Sequence, residues 1–178
     1  MESCHPYCIE LLKSFLGSIV HRSLFRALDV SGGDGRLSTY LLLRCYRKVD
    51  LFDQCPVAIE KAKQSMRRYD AFGHLYQSTM QEFDWHFSYS AIFMVWCSGY
   101  LTRSELVAFL RKANTKLIED SGRVSRQRTP ESFIFLFENV LEEHEESIVI
   151  KDQRLRTVST LESIYNEAGL LVHRCSGP

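Results

Sequence analysis

The sequence lacks a C-x-x-C pair, an apolar run long enough to span a membrane, any net charge and any low-complexity linker. Each absence removes a class of protein. The six cysteines, Cys4, Cys8, Cys45, Cys55, Cys97 and Cys175, are scattered. Cys4-His5 with Cys8 could open a metal site, but no second ligand pair follows at finger-like spacing, so no metal is expected. Scattered cysteines in apolar stretches fit reduced core residues and a cytoplasmic or nuclear compartment. Lys+Arg and Asp+Glu are both 22, which gives no bulk attraction to nucleic acid or to an anionic membrane; neither is expected as a partner. The opening MESCHPYCIELLKSFLG has no basic leader and no small-residue cleavage site, so a secretory signal is not expected either.

What is present is a globular composition: 178 residues, 45% hydrophobic and 25% charged, enough for one domain with a real core. The expectation is a single domain over 1–178, with an N-terminal helix within 1–24 and a sheet core from 25 onward. Apolar residues keep helical spacing at 8–22, 35–47 and 56–69, the last opened by Pro56. Short strands are predicted at 25–30, 48–53, 74–79, 89–97, 133–140 and 170–175. Thr102 to Glu105 and Ser159 to Glu162 have the spacing of capping boxes, which predicts helices over 103–119 and from 159 to a stop at Gly169. A polar loop at 121–132 separates the two. Strand–helix alternation of this kind predicts a doubly wound, mostly parallel α/β sheet with helices on both faces. Ligands of such sheets bind beyond the carboxyl ends of the strands.

One segment sits at such an end. Leu28-Asp29-Val30-Ser31-Gly32-Gly33-Asp34-Gly35-Arg36 runs from a strand through three glycines into a helix. Glycines such as Gly33 let a ligand lie against the backbone. Asp29 can receive an ammonium group, and Arg36 can pair with a carboxylate. Asp53 ends the next strand, where an acid accepts hydrogen bonds from ribose hydroxyls. An amine, a carboxylate and a ribose together describe S-adenosylmethionine. A dinucleotide is less favoured, because G-x-G-x-x-G is absent.

Three stretches carry a more specific likeness: RALDVSGGDGRLSTYLLL with KVDLFD; YSAIFMVWCSGYLTRSELVAFLRK; and FIFLFENV. Over about 26–171 the chain resembles the alpha N-terminal protein methyltransferases, a branch of the Rossmann-like, seven-strand S-adenosylmethionine-dependent methyltransferases. The family's strand ending in Trp, its Gly-His-Leu-Thr and its Phe-Leu-Arg run are matched by Trp96, Gly99-Tyr100-Leu101-Thr102 and Phe109-Leu110-Arg111. The resemblance implies methyl transfer to the α-amine of proteins whose exposed N-terminus reads X-Pro-Lys. It places Ser31, Arg36, Asp53, Gln54, Cys55, Met80, Gln81 and Val95 around the cofactor. It places Trp96, Tyr100, Asn139 and Asp152 around the substrate N-terminus, the last three in catalysis.

Departures accompany the likeness. Ser31 replaces a glycine, Val95 a cofactor-contacting Gln, Tyr100 the active-site His, and Ser90 an Asp. Most of the family's N-terminal helices and its last antiparallel strand, beyond residue 175, have no counterpart. Two rival classes therefore stand beside the enzyme: a weakly active or inactive methyltransferase-like binding protein, and a small-molecule methyltransferase.

Overall fold

The computed structural model describes residues 10, 12–14, 25–118, 132–144, 148–150 and 152–172. Five strands form its main sheet: β1 (Arg26–Val30), β2 (Lys48–Asp53), β3 (Phe72–Gln77), β4 (Ala91–Val95) and β5 (Phe133–Phe137). Their order is β3-β2-β1-β4-β5 and every pair is parallel. The chain moves outward from β1 through β2 to β3, then returns to the other side of β1 for β4 and β5. The crevice between β1 and β4 is thus the switch point at which such a sheet takes a ligand.

Both sheet faces are covered, which explains the nearly unbroken apolar runs of the central strands. Leu28, Val30, Ile92 and Met94 point to one face and pack under α3 (Arg103–Thr115) and α4 (Val158–Glu167). Ala27, Val49, Leu51 and Phe93 point to the other. There they meet Leu41 and Leu42 of a π turn at Ser38–Leu42, Leu43 of the short α1 (Leu43–Cys45), and Ala62 and Met66 of α2 (Pro56–Met66). Of the expected N-terminal helix, Glu10 and Leu12–Ser14 are helical, and Leu12 is buried in this second cluster. The rest of that helix lies outside the described residues. At the amino end of the sheet Asp50, fully buried, takes both oxygens' worth of contact from Arg26 Nη1 at 2.8 and 2.7 Å and accepts the His74 N–H at 2.8 Å.

The box predicted at Thr102 is present: Thr102 Oγ1 accepts from the Glu105 N–H at 3.3 Å, and the Glu105 carboxylate accepts from the Thr102 N–H at 2.7 Å. Thr102→Ala should cost about 1 kcal/mol, read as a lower urea midpoint at unchanged slope. The second predicted box is displaced. The cap of α4 is Thr157, which accepts from the Thr160 N–H at 3.2 Å. A strand runs straight into this helix, so its last residue does the capping, and Ser159 is instead held by Glu143.

Two strand expectations are corrected. The run 133–140 is not one strand: β5 stops at Phe137, and after Glu138-Asn139 the chain enters a second sheet. That sheet, of order β6-β8-β7, joins β6 (Val140–Leu141), β7 (Ile148–Ile150) and β8 (Gln153–Thr157). Its β7–β8 pair is antiparallel, Ile150 facing Gln153. Leu170–Val172 carry no strand, and 173–175 lie outside the described residues, as do 119–131 of the expected loop. Gly169 does end α4, at φ +78°.

Candidate functional site

The glycine segment is built around two carboxylates with different tasks. Asp53, almost buried at the end of β2, accepts the Gly33 N–H at 2.9 Å on one oxygen and the Cys55 N–H at 2.8 Å on the other. It ties the loop after β1 to the loop after β2 and keeps a free lone pair on each oxygen. Asp29 lies beneath the loop. A side chain at Gly32 would stand 2.7 Å from the Asp29 Cγ and 2.6 Å from Leu51, so only glycine fits above it. Ser38 donates its hydroxyl to Asp29 at 2.6 Å, and burial pushes the carboxyl up to about 7. As a strand-tip carboxylate, Asp29 is expected to receive an ammonium group. The structure makes it an enclosed brace, 2% exposed.

Ser31 and Gly33 both have left-handed backbone, φ +50° and +57°, and nothing stands within 4 Å of where a Gly33 side chain would project. The loop therefore presents bare backbone at the switch point. Gln54 and Cys55 are exposed just beyond Asp53, with Cys55 preceding α2. Arg36 is expected to pair with a cofactor carboxylate. It is exposed and its Nε pairs with Asp34 at 3.0 Å. Both line an open cleft of about 550 Å³ on the outer face of the helices, shared with Arg44, Lys61 and Arg68. That cleft is not at the strand ends, which place the site. Met80 is packed into the core cluster under α3, and the Gln81 side chain donates to Glu105 at 3.3 Å. Val95, at the end of β4, packs against the second cluster.

The substrate-side residues follow the ends of β4 and β5. Trp96 has φ +54°, a costly backbone for an aromatic residue and one that persists only where the surroundings impose it. Its N–H reaches the Phe137 carbonyl at 2.8 Å, its ring meets Phe137 edge-on at 5.7 Å, and its carbonyl accepts the Gln153 side chain at 3.2 Å. The indole Nε1 is buried with no partner among the described residues. A buried donor left unpaired is expensive, so this atom is where a ligand acceptor would be rewarded. Tyr100, half exposed, closes the 3₁₀ turn Ser98–Tyr100. Asn139 is exposed between β5 and β6. Asp152, at φ +69°, occupies the β7–β8 turn and is exposed. The hairpin carries it toward the others: β8 packs on the 3₁₀ turn so closely that a side chain at Gly99 would meet the Arg154 carbonyl at 3.2 Å.

Three residues at this site have no role assigned from the sequence. Glu138 accepts from the N–H groups of Cys97 at 2.9 Å and Ser98 at 2.6 Å. Burial raises its carboxyl above the ordinary range, opposed by those donors. Arg156, buried, donates to the carbonyls of Ser98 at 3.3 Å and Leu101 at 2.5 Å. Gln153 is the third. Within the acidic run, Glu143 is tied to Ser159, which lowers its carboxyl, and Glu145 and Glu146 lie outside the described residues.

The parallel sheet, its switch-point glycine loop and the acid ending β2 define a Rossmann-like methyltransferase fold. Similar solved structures include a SAM-dependent methyltransferase from Leishmania major, with TM-score 0.80 and 25% identity over 93% of this chain and 63% of that one. Residues 8–176 match the AdoMet-dependent proline di-methyltransferase family, and the chain belongs to it. The alpha N-terminal protein methyltransferase 1 of Drosophila melanogaster is 28% identical over 158 residues, 83% of this chain and 51% of that protein. The N-terminal Xaa-Pro-Lys N-methyltransferase 1 of Xenopus tropicalis is 27% identical over 146 residues, 81% and 60% respectively. The chain thus spans about half to three-fifths of the length of these curated relatives.

Proposed function

We propose that this protein transfers a methyl group from S-adenosylmethionine to the N-terminal α-amine of proteins beginning X-Pro-Lys. The observation that carries the reading is the convergence, at one end of one sheet, of the Asp53-tied glycine loop with Trp96, Tyr100 and Asn139. The residues present fit the cofactor. Asp53 retains lone pairs for two ribose hydroxyls, and the Ser31–Gly33 backbone has room for a ligand against it. Gln54 and Cys55 flank Asp53. To pair with a cofactor carboxylate Arg36 would have to leave Asp34 and turn from the outer cleft toward the strand ends.

The bound cofactor would supply an electrophilic methyl group, and the chain's work is to hold a neutral amine in line with it. An α-amine has a reference pKa of about 7.7–8.0, so a useful fraction is already neutral near pH 7. Strong base catalysis is therefore unnecessary. In this reading the Asn139 side-chain carbonyl orients the amine, Asp152 accepts its proton, Tyr100 positions the amine or a water through its hydroxyl, and the Trp96 indole N–H finds its missing acceptor on the peptide. The relatives named for Xaa-Pro-Lys N-termini support protein substrates, and a cytoplasmic or nuclear setting fits the free thiols of Cys45, Cys55 and Cys97 among the described residues.

The third substrate residue offers a cation, and the exposed Asp152 and Glu142 offer charge to attract it. An X-Pro-Lys peptide should outcompete X-Pro-Gln several-fold at low salt. The preference should shrink toward parity as ionic strength rises from about 0.01 M to about 1 M, where screening shortens from roughly 30 to 3 Å. Asp152→Asn should reduce both the preference and turnover. A preference absent at low salt, or unaltered by Asp152→Asn, removes Asp152 from the substrate site.

A further inference from the structure

The segment from Trp96 to Leu101 holds two candidate substrate residues in a conformation that the segment alone would not keep. Trp96 is left-handed, and the next residues make a single 3₁₀ turn too short to be stable unaided. Its polar groups are held from outside. At the start of the turn, the N–H groups of Cys97 and Ser98 both point to one oxygen of Glu138. The carbonyls of Ser98, the first residue of the turn, and Leu101, just beyond its last, are taken by the buried Arg156 guanidinium. The Trp96 carbonyl, just before the turn, is taken by Gln153.

Two of these residues adjoin the proposed catalytic groups in the chain. Glu138 precedes Asn139, and Gln153 follows Asp152. A side chain that grips the 96–101 segment is therefore fixed, one residue away, to a group proposed to act on the amine. We propose that Glu138, Gln153 and Arg156 are positioning residues, which lock Trp96 and Tyr100 in register with Asn139 and Asp152. The inference rests on the methyl-transfer reading for its kinetic consequence, but its structural half is independent of it. None of the three needs to touch substrate or cofactor.

The test uses the full chain and three variants. Glu138→Ala removes the acceptor; Glu138→Gln keeps a side-chain oxygen able to accept from the same N–H groups. Misplacement of reacting groups by about 1 Å can cost roughly a hundredfold. Glu138→Ala should therefore lower kcat on an X-Pro-Lys peptide by about ten- to a hundredfold. Calorimetric affinity for S-adenosylhomocysteine should stay within about twofold, because the cofactor loop is built by Asp53 and Asp29 and not by Glu138. Glu138→Gln should recover most of kcat. Hydrogen exchange should show faster amide exchange at 97–98 in Glu138→Ala, with protection of β1 and β2 retained. Should Glu138→Ala fail to fold, Gln153→Ala removes a single hydrogen bond at the Trp96 carbonyl and should show a smaller kcat loss with the same cofactor affinity.

A parallel fall of kcat and cofactor affinity would overturn the proposal, as would Gln performing no better than Ala, or unchanged exchange at 97–98. If the wild-type chain transfers no methyl group, the functional reading fails; the exchange experiment then decides the clamp without it, unchanged protection refuting it and local loss sustaining it.

Discussion

Asp53→Ala is expected to weaken S-adenosylhomocysteine binding by about 1.5–3 kcal/mol, the scale of hydrogen bonds to a charged group, or roughly ten- to more than a hundredfold in Kd. Two losses combine. The ribose loses an acceptor, and the loop loses its tie, because the same carboxylate holds the Gly33 and Cys55 N–H groups from two different strand ends. Asp53→Asn separates these contributions poorly, since its amide would turn an NH₂ toward one of two N–H donors. Alanine, which presents no donor, is the cleaner variant. Calorimetry on the folded variant is decisive: unchanged affinity would remove Asp53 from the cofactor site. Arg36→Ala should have a smaller effect, because its guanidinium must first give up Asp34.

A second large effect is a stability that falls as pH rises. Enclosure pushes the Asp29 carboxyl from 3.8 to about 7. Between those values the folded chain holds a proton that the unfolded chain has released. Stability from this group is therefore complete below about pH 4 and lost progressively as pH rises to 7. At about 1.4 kcal/mol per unit, the span from about pH 5.5 to pH 8 is worth on the order of 2 kcal/mol. The measurement is urea unfolding at both pH values for wild type and Asp29→Asn. The amide resembles the protonated acid and can still accept the Ser38 hydroxyl. The variant should be the more stable at pH 8 and should lack this part of the pH dependence; subtracting the two cancels other titrating groups. Equal slopes for the two proteins would show that Asp29 ionises normally.

These two aspartates show how far the sequence carries. Both were legible as strand-end acids, since each follows an apolar run and precedes either glycines or a helix-opening proline. Their different burial was not. It depends on Gly32 closing over Asp29 and on a serine nine residues away, contacts that periodicity does not encode. The parallel sheet covered on both faces followed from strand–helix alternation, because parallel neighbours need crossovers. The small second sheet was missed for the opposite reason. Its strands are short and charged, as in Gln153–Thr157, and carry too few apolar residues for a period to emerge. The signal that could have revealed it is Asp152, an aspartate tolerant of left-handed backbone, standing between the β-branched run IVI and QRLRT. Missing the hairpin also hid Gln153 and Arg156, whose roles exist only once β8 lies against Gly99. Glu138 was legible as a residue at a strand's carboxyl end, beside Asn139, but its role was not, because it depends on contact with the N–H groups of Cys97 and Ser98, 41 and 40 residues away.

The central claim is methyl transfer to a free α-amine. It is tested most directly by incubating the full chain with S-adenosylmethionine and two X-Pro-Lys peptides, identical except that one has an acetylated N-terminus, and following both by mass spectrometry. The account predicts methyl increments on the free peptide alone, located on its first residue and lost with Asn139→Ala. Methylation of the acetylated peptide at the lysine, or no methylation of either while S-adenosylhomocysteine binds, would contradict it.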